Sequence, residues 1–128
     1  MGQPYRHEIR IRYGEVDMQG HVFNAHYLAF VDDALEQWLL ARLGEGYTEA
    51  FDMVVKRAEM TWSSGARHSE LLAIDVTPTR WGRTSFDVRY AASVGERPVF
   101  EATLTYISVA PGALTPAPVP DHVRAALA

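Results

Sequence analysis

The feature that most constrains this chain is a single change of hydrophobic period. From Tyr27 the apolar residues fall at Tyr27, Phe30, Val31, Ala34, Leu35, Trp38 and Leu39, the i, i+3, i+4, i+7 spacing of a helix with one wide buried stripe. Asn24 reads as its N-cap and Gly44 as its stop. After Gly46 the period becomes two. Ala58, Met60 and Trp62 alternate with Arg57, Glu59 and Thr61, and the same rhythm carries Leu72, Ile74 and Val76, then Phe86, Val88 and Tyr90, then Phe100, Ala102, Leu104 and Tyr106. These are four strands. Ahead of the helix, residues 8 to 13 also alternate, with Ile9, Ile11 and Tyr13 on one face and Arg10 and Arg12 on the other. Turn signals at Ser63-Ser64-Gly65, Trp81-Gly82-Arg83 and Gly95-Glu96-Arg97-Pro98 are short enough to join neighbouring antiparallel strands.

The order strand, helix, four strands predicts an α+β fold with the helix on one face of an antiparallel sheet. One helix covers one face, and the edges need a partner, so a homodimer or homotetramer is expected, with edge pairing as one route. Residues 110–120 hold four of the seven prolines and read as a tail outside the sheet; Asp121 is placed to cap a short terminal helix over 121–128. With 128 residues, a single domain spanning 1–128 suffices to bury a core.

Composition narrows function by exclusion. The formal net charge is −4, which offers no general basic surface to neutralise phosphates, so no nucleic-acid partner is expected. There is no cysteine, which removes disulfides, thiolate metal sites and a cysteine nucleophile together. Met1 to Arg12 has charges every few residues and no apolar run; no membrane anchor and a cytoplasmic location are the expectation.

The stretch Tyr13 to Tyr27, Y-G-E-V-D-M-Q-G-H-V-F-N-A-H-Y, concentrates the parts of an acyl-transfer site between the first strand and the helix. It carries an acid, Asp17; a glycine that permits close backbone approach, Gly20; and a helix N-terminus whose free N–H groups can meet a developing negative charge. The run Tyr13, Asp17, Gly20, Val22, Ala25, Tyr27 and Phe30, with G-H-V-x-N at Gly20 to Asn24, resembles the signature of hot dog fold acyl-CoA thioesterases of the 4-hydroxybenzoyl-CoA thioesterase and YbgC-like group. The likeness extends to the R-x-G-R-T-S turn at Arg80 to Ser85 and the V-P-D-H-V-R ending. It implies a single-domain hot dog fold, an antiparallel five-stranded sheet wrapped around one long central helix.

The resemblance further implies hydrolysis of an acyl-CoA or acyl-carrier-protein thioester to free acid and thiol, without cofactor or metal. Asp17 takes the family role of nucleophile or general base; a carboxylate can attack to give an anhydride or deprotonate water, and both routes stay open here. The backbone N–H of Asn24 is the implied oxyanion donor, which suits oriented N–H groups at a helix start. Gly65 is implied to lie near the site from the partner subunit. His21 and Tyr27 are placed at the substrate, and Arg80, Arg83, Thr84 and Ser85 are implied to meet the pantetheine arm and phosphates of CoA, for which guanidinium and backbone N–H groups are suited. Lys56, Arg57 and Arg67 are further phosphate candidates.

Other readings of the same residues are weaker. His21 and His26 are five apart and no Asp or Glu completes a ligand pattern. Phe23 and Asn24 stand where other group members carry Tyr or His, so no acid role carries over to them. Trp38, Met60 and Trp62 are candidates for an acyl tunnel, although Trp38 lies on the buried stripe. Ser63, Ser64 and Ser69 lie outside any G-x-S-x-G elbow, and no phosphate-binding glycine loop is present. The competing functions are a non-catalytic acyl-thioester binding module and a hot dog hydratase or dehydratase; the latter needs a differently placed His with an Asp or Glu.

Overall fold

The apolar stripe forms the helix its spacing predicts. In the computed structural model, which describes residues 3–128, α1 (Asn24–Leu43) buries Tyr27, Phe30, Val31, Ala34, Leu35, Trp38 and Leu39. It stops at Gly44, whose positive φ of 84° is open to a residue without Cβ. Around it run β1 (Tyr5–Arg10), β2 (Asp52–Trp62), β3 (Leu71–Trp81), β4 (Ser85–Val94) and β5 (Arg97–Val109), and a short α2 (Asp121–Leu127) follows. The strands make one antiparallel sheet of order β1-β3-β4-β5-β2. Alternate residues Phe86, Val88, Tyr90 on β4 and Phe100, Ala102, Leu104, Tyr106 on β5 join the α1 stripe in one apolar core, as a period of two with one buried face requires. This is the hot dog arrangement, a five-stranded sheet curled about one long helix.

Three local expectations are corrected. The first strand runs over Tyr5–Arg10 rather than residues 8 to 13, and Tyr13 lies 81% exposed, because the chain leaves the sheet in a 3-10 turn at Tyr13–Glu15. The N-cap of α1 is Phe23, with Asn24 the first helical residue and no side-chain cap; Pro120 likewise precedes Asp121 at α2. Finally, Ser63-Ser64-Gly65 does not join neighbouring strands. Two strands, β4 and β5, separate β2 from β3, so residues 63–70 cross the end of the sheet from the edge strand β2 to β3, next to the opposite edge. The Ser63 N–H starts that crossing on the Val99 carbonyl at 2.8 Å, and the Glu70 carbonyl ends it by accepting the Ile11 N–H at 2.9 Å.

The backbone of α1 comes nearest β1 and β3, while its Tyr27 reaches Trp62 on β2 and Phe100 on β5. β2 is an edge strand exposed along most of its length, with Val55 51% and Trp62 48% accessible. Beneath the helix the Tyr90 and Tyr106 hydroxyls hydrogen-bond to each other at 2.6 Å. Burial raises both phenols well above their ordinary ionisation range.

Candidate active site

The loop carrying Asp17 is built by its own side chains. Glu15 accepts the Arg12 backbone N–H at 2.8 Å and the Arg12 guanidinium at 2.6 Å, which closes the 3-10 turn. The hydrogen bond from Arg12 holds the buried Glu15 carboxyl below its usual range, against the opposing effect of desolvation. The Glu15 carbonyl then accepts the Phe23 N–H at 3.0 Å, fastening the turn to the start of α1. Between these anchors the chain doubles back: Asp17 N–H donates to the His21 carbonyl at 2.8 Å and Gly20 N–H to the Asp17 carbonyl at 3.0 Å. Gly20 sits at φ +80°, the left-handed region in which an L side chain is strained.

This turn fixes the Asp17 carboxylate. Its Oδ1 accepts the N–H groups of Gln19 at 2.8 Å and His21 at 3.4 Å, an Asx turn of the kind loop aspartates often make. Among the described residues, Oδ2 takes no hydrogen bond. One oxygen is thus committed to the turn and the other is not.

The crossing segment supplies the second wall. Val22 N–H donates to the Ala66 carbonyl at 2.9 Å, and the Ala66 N–H donates to the Tyr27 hydroxyl at 2.9 Å. A Cβ on Gly65 would lie 3.2 to 3.4 Å from the His21 side chain, so this glycine is what lets the two walls close. The Arg97 guanidinium holds the segment from outside, donating to the Gly65 carbonyl at 3.1 Å and to Glu70 at 2.7 Å. Trp62 meets Tyr27 edge to face, centroids 5.9 Å apart.

Together these elements enclose a cleft of about 220 Å³ lined by Asp17, Gln19, His21, Val22, Asn24, Tyr27, Trp62, Ser64 and Gly65. Asp17 also borders an open depression lined by Tyr13, Gly14, Val16 and Met18. The first N–H groups of any helix have no intrahelical acceptor. Here the His26 N–H reaches the Phe23 carbonyl at 2.9 Å, while the N–H groups of Asn24 and Ala25 find no acceptor among the described residues. Asp17 and Asn24, the first residue of α1, thus line one cleft, an arrangement that can present a nucleophile or base on one side of a carbonyl and a hydrogen-bond donor to its oxygen.

Of the residues expected from sequence, Asp17, His21, Asn24, Tyr27 and Gly65 line this cleft within one chain. Arg80, Arg83, Thr84 and Ser85 do not join them. Ser85 pairs with Ile107 on β5, whereas Trp62 at the cleft pairs with Phe100; the separation is seven residues (107 minus 100), about 24 Å of strand. Within one protomer this turn has other partners: Arg80 bonds Asp87 at 2.9 Å and Ser85 at 3.0 Å, Thr84 accepts the Ser108 N–H at 2.7 Å, and Arg83 accepts the Val119 N–H at 2.9 Å. Arg57 pairs with Glu59, Lys56 and Arg67 are exposed, and Trp38 is core. His26 lies edge-on to Phe23, centroids 6.1 Å apart, outside the cleft lining. Glu15, Gln19 and Arg97 were missed as supports of the site; the capping box that Arg12 and Glu15 form lacks the Ser or Thr by which the sequence pattern is recognised.

The profile of the thioesterase-like superfamily matches residues 11–127, from just after β1 to the end of α2. The chain belongs to this superfamily. Thioester hydrolysis is its general chemistry. Among the curated proteins, none matches the sequence. Similar solved structures include a thioesterase-superfamily protein of Jannaschia sp. CCS1, at 22% identity and a TM-score of 0.91, covering 99% of this chain and 94% of that one. The 1,4-dihydroxy-2-naphthoyl-CoA thioesterase of Synechocystis is similar at 20% identity and a TM-score of 0.83, covering 98% and 96%. A probable thioesterase of Bartonella henselae is 21% identical with a TM-score of 0.81, covering 93% and 100%. At these identities the likeness establishes the fold.

Proposed function

We propose that this member of the superfamily hydrolyses the thioester of an acyl-CoA or acyl-carrier protein to free acid and thiol, within the 4-hydroxybenzoyl-CoA thioesterase and YbgC-like group, and without a cofactor. The observation that carries the reading is that Asp17 and Asn24, the first residue of α1, line one cleft, with the Asp17 carboxylate fixed through its Oδ1. Asp17 Oδ2 attacks the carbonyl carbon and displaces the thiolate, leaving a mixed anhydride that water then cleaves to the free acid and the carboxylate, or it deprotonates a water that attacks the carbonyl and displaces the thiolate directly. The Asn24 N–H stabilises the oxyanion formed on the way, where charge grows and a fixed donor is worth most. His21 keeps Asp17 oriented through its backbone N–H. The open depression beyond Asp17 gives the thiol arm a way out to solvent.

A homodimer or homotetramer belongs to the same reading. β2 ends at the cleft with Trp62 and leaves a long strand edge bare, which a second copy would cover while supplying its Arg80–Ser85 turn to the phosphates.

The test is thiol release from short, medium, long and aromatic acyl-CoAs and from acyl-carrier protein, on wild type and Asp17→Asn in parallel. Wild type should cleave at least one thioester; Asp17→Asn should fold normally and lose on the order of 10³-fold in kcat. A fully active Asp17→Asn overturns the assignment. Binding of acyl-CoA without cleavage by wild type would point instead to a non-catalytic module, and hydration of an enoyl thioester to a hydratase.

A further inference from the structure

An oxyanion has room for two donors, and the start of α1 offers a second one that is not backbone. Tyr27 stands three residues after Asn24, so the two share one face of the helix, and a helical side chain leans back over the turn preceding its own Cα. The Tyr27 ring is held on three sides by edge-to-face contacts with Phe30 at 6.2 Å, Trp62 at 5.9 Å and Phe100 at 5.6 Å. Its hydroxyl oxygen accepts the Ala66 N–H at 2.9 Å. A phenol has one hydrogen to give as well as lone pairs to fill. Among the described residues, no acceptor takes that hydrogen, although the residue is 2% exposed and lines the cleft. A phenol is protonated at neutral pH and burial shifts Tyr27 further upward, so the hydrogen is present to be donated.

In the proposed reaction the hydrogen has two candidate acceptors, the Asp17 carboxylate and the substrate carbonyl oxygen. Donation to Asp17 would occupy the carboxylate oxygen that the reaction needs, since Oδ1 is already committed to Gln19 and His21. Donation to the substrate carbonyl oxygen strengthens as negative charge develops there. Accepting a hydrogen bond from Ala66 polarises the O–H and fixes the torsion of the phenol in advance, which lowers the reorganisation cost at the moment of reaction. We propose that the Tyr27 hydroxyl is a second oxyanion donor, acting beside the Asn24 N–H on the same carbonyl oxygen. The inference rests on the hydrolytic reading above and adds a residue to it.

The experiment compares wild type, Tyr27→Phe, Asp17→Asn, and protein carrying 3-fluorotyrosine or 3,5-difluorotyrosine at position 27, on whichever acyl-CoA wild type cleaves best. Tyr27→Phe should lower kcat by on the order of 10²-fold with KM little changed. The fluorinated phenols retain the Ala66 bond and are progressively more acidic, so kcat should change in the order of their acidity while the melting temperature holds. That ordered response is what a purely structural hydroxyl would not give, and it decides the matter even where Tyr27→Phe folds poorly. Wild-type kcat in Tyr27→Phe, or no trend across the fluorinated series while Asp17→Asn is dead, overturns the role of Tyr27 alone. Activity surviving in Asp17→Asn overturns the hydrolytic reading underneath it.

Discussion

At the scale of single residues the site is a hierarchy of supports. Asp17 is positioned by the N–H groups of Gln19 and His21, and the turn containing them is fastened by Glu15 at one end and Ala66 at the other. Asp17, Gly20 and the helix start were legible because an acid, a glycine and the beginning of an apolar period follow one another in the chain. Glu15 was not legible as a support: its partner Arg12 reads as the outward face of a strand until the 3-10 turn is seen. The ion pair gives it a testable signature. The Glu15 carboxyl is held below the usual value of 4.5, first by its hydrogen bond from Arg12. A depressed carboxyl stabilises the fold above the unfolded value and ceases to do so as pH falls through the folded one. Glu15→Gln should therefore cost on the order of 1–2 kcal/mol at neutral pH by urea denaturation. The gap to wild type should close as the pH drops below about 4. A gap that stays constant through that range would show that charge at Glu15 contributes nothing.

At the scale of elements, periodicity revealed which faces are buried but not which strands are neighbours. The buried set on α1 was readable residue by residue, and so were the β3–β4 and β4–β5 hairpins, because both signals are local. The β2–β3 connection was misread as a hairpin, since eight intervening residues look much the same whether they turn or cross. Crossing is what brings Gly65 to His21. Replacing Gly65 by Ala would set a Cβ 3.2 to 3.4 Å from the His21 side chain, tight enough that the ring must yield by a few tenths of an ångström. The expected result is a loss of about 1 kcal/mol of stability and a fall of several-fold in kcat/KM, as the His21 N–H shifts on Asp17 Oδ1. Thermal melts and thiol-release kinetics read the two effects separately; wild-type values in both would mean that His21 moves without disturbing the carboxylate. The distant Arg80–Ser85 turn carries the same lesson, because the sequence places it in a hairpin but cannot say which end of the sheet that hairpin occupies.

At the scale of the whole molecule, the sheet has one end of its strand order covered less than the other. The backbone of α1 comes nearest β1 and β3, and β2 carries Val54, Val55 and Trp62 exposed at the opposite edge. A long bare edge strand with apolar side chains is a template for pairing, and pairing with a second copy closes the assembly about a two-fold axis, each residue there occurring twice. That symmetry amplifies a single change. Val55→Glu would bring two carboxylates into one apolar contact on a chain already at net charge −4, adding like-charge repulsion to the cost of burying each charge. Sedimentation velocity should show wild type as a dimer or larger and Val55→Glu as predominantly monomer at the same concentration. Because Trp62 lies on the same strand as Val55 and also walls the candidate cleft, separation of the copies should reduce kcat/KM as well, and raising protein concentration should recover both association and turnover. If Val55→Glu associates as wild type does, copies meet through another surface, and the cleft seen within one chain must serve substrate without help from the β2 edge.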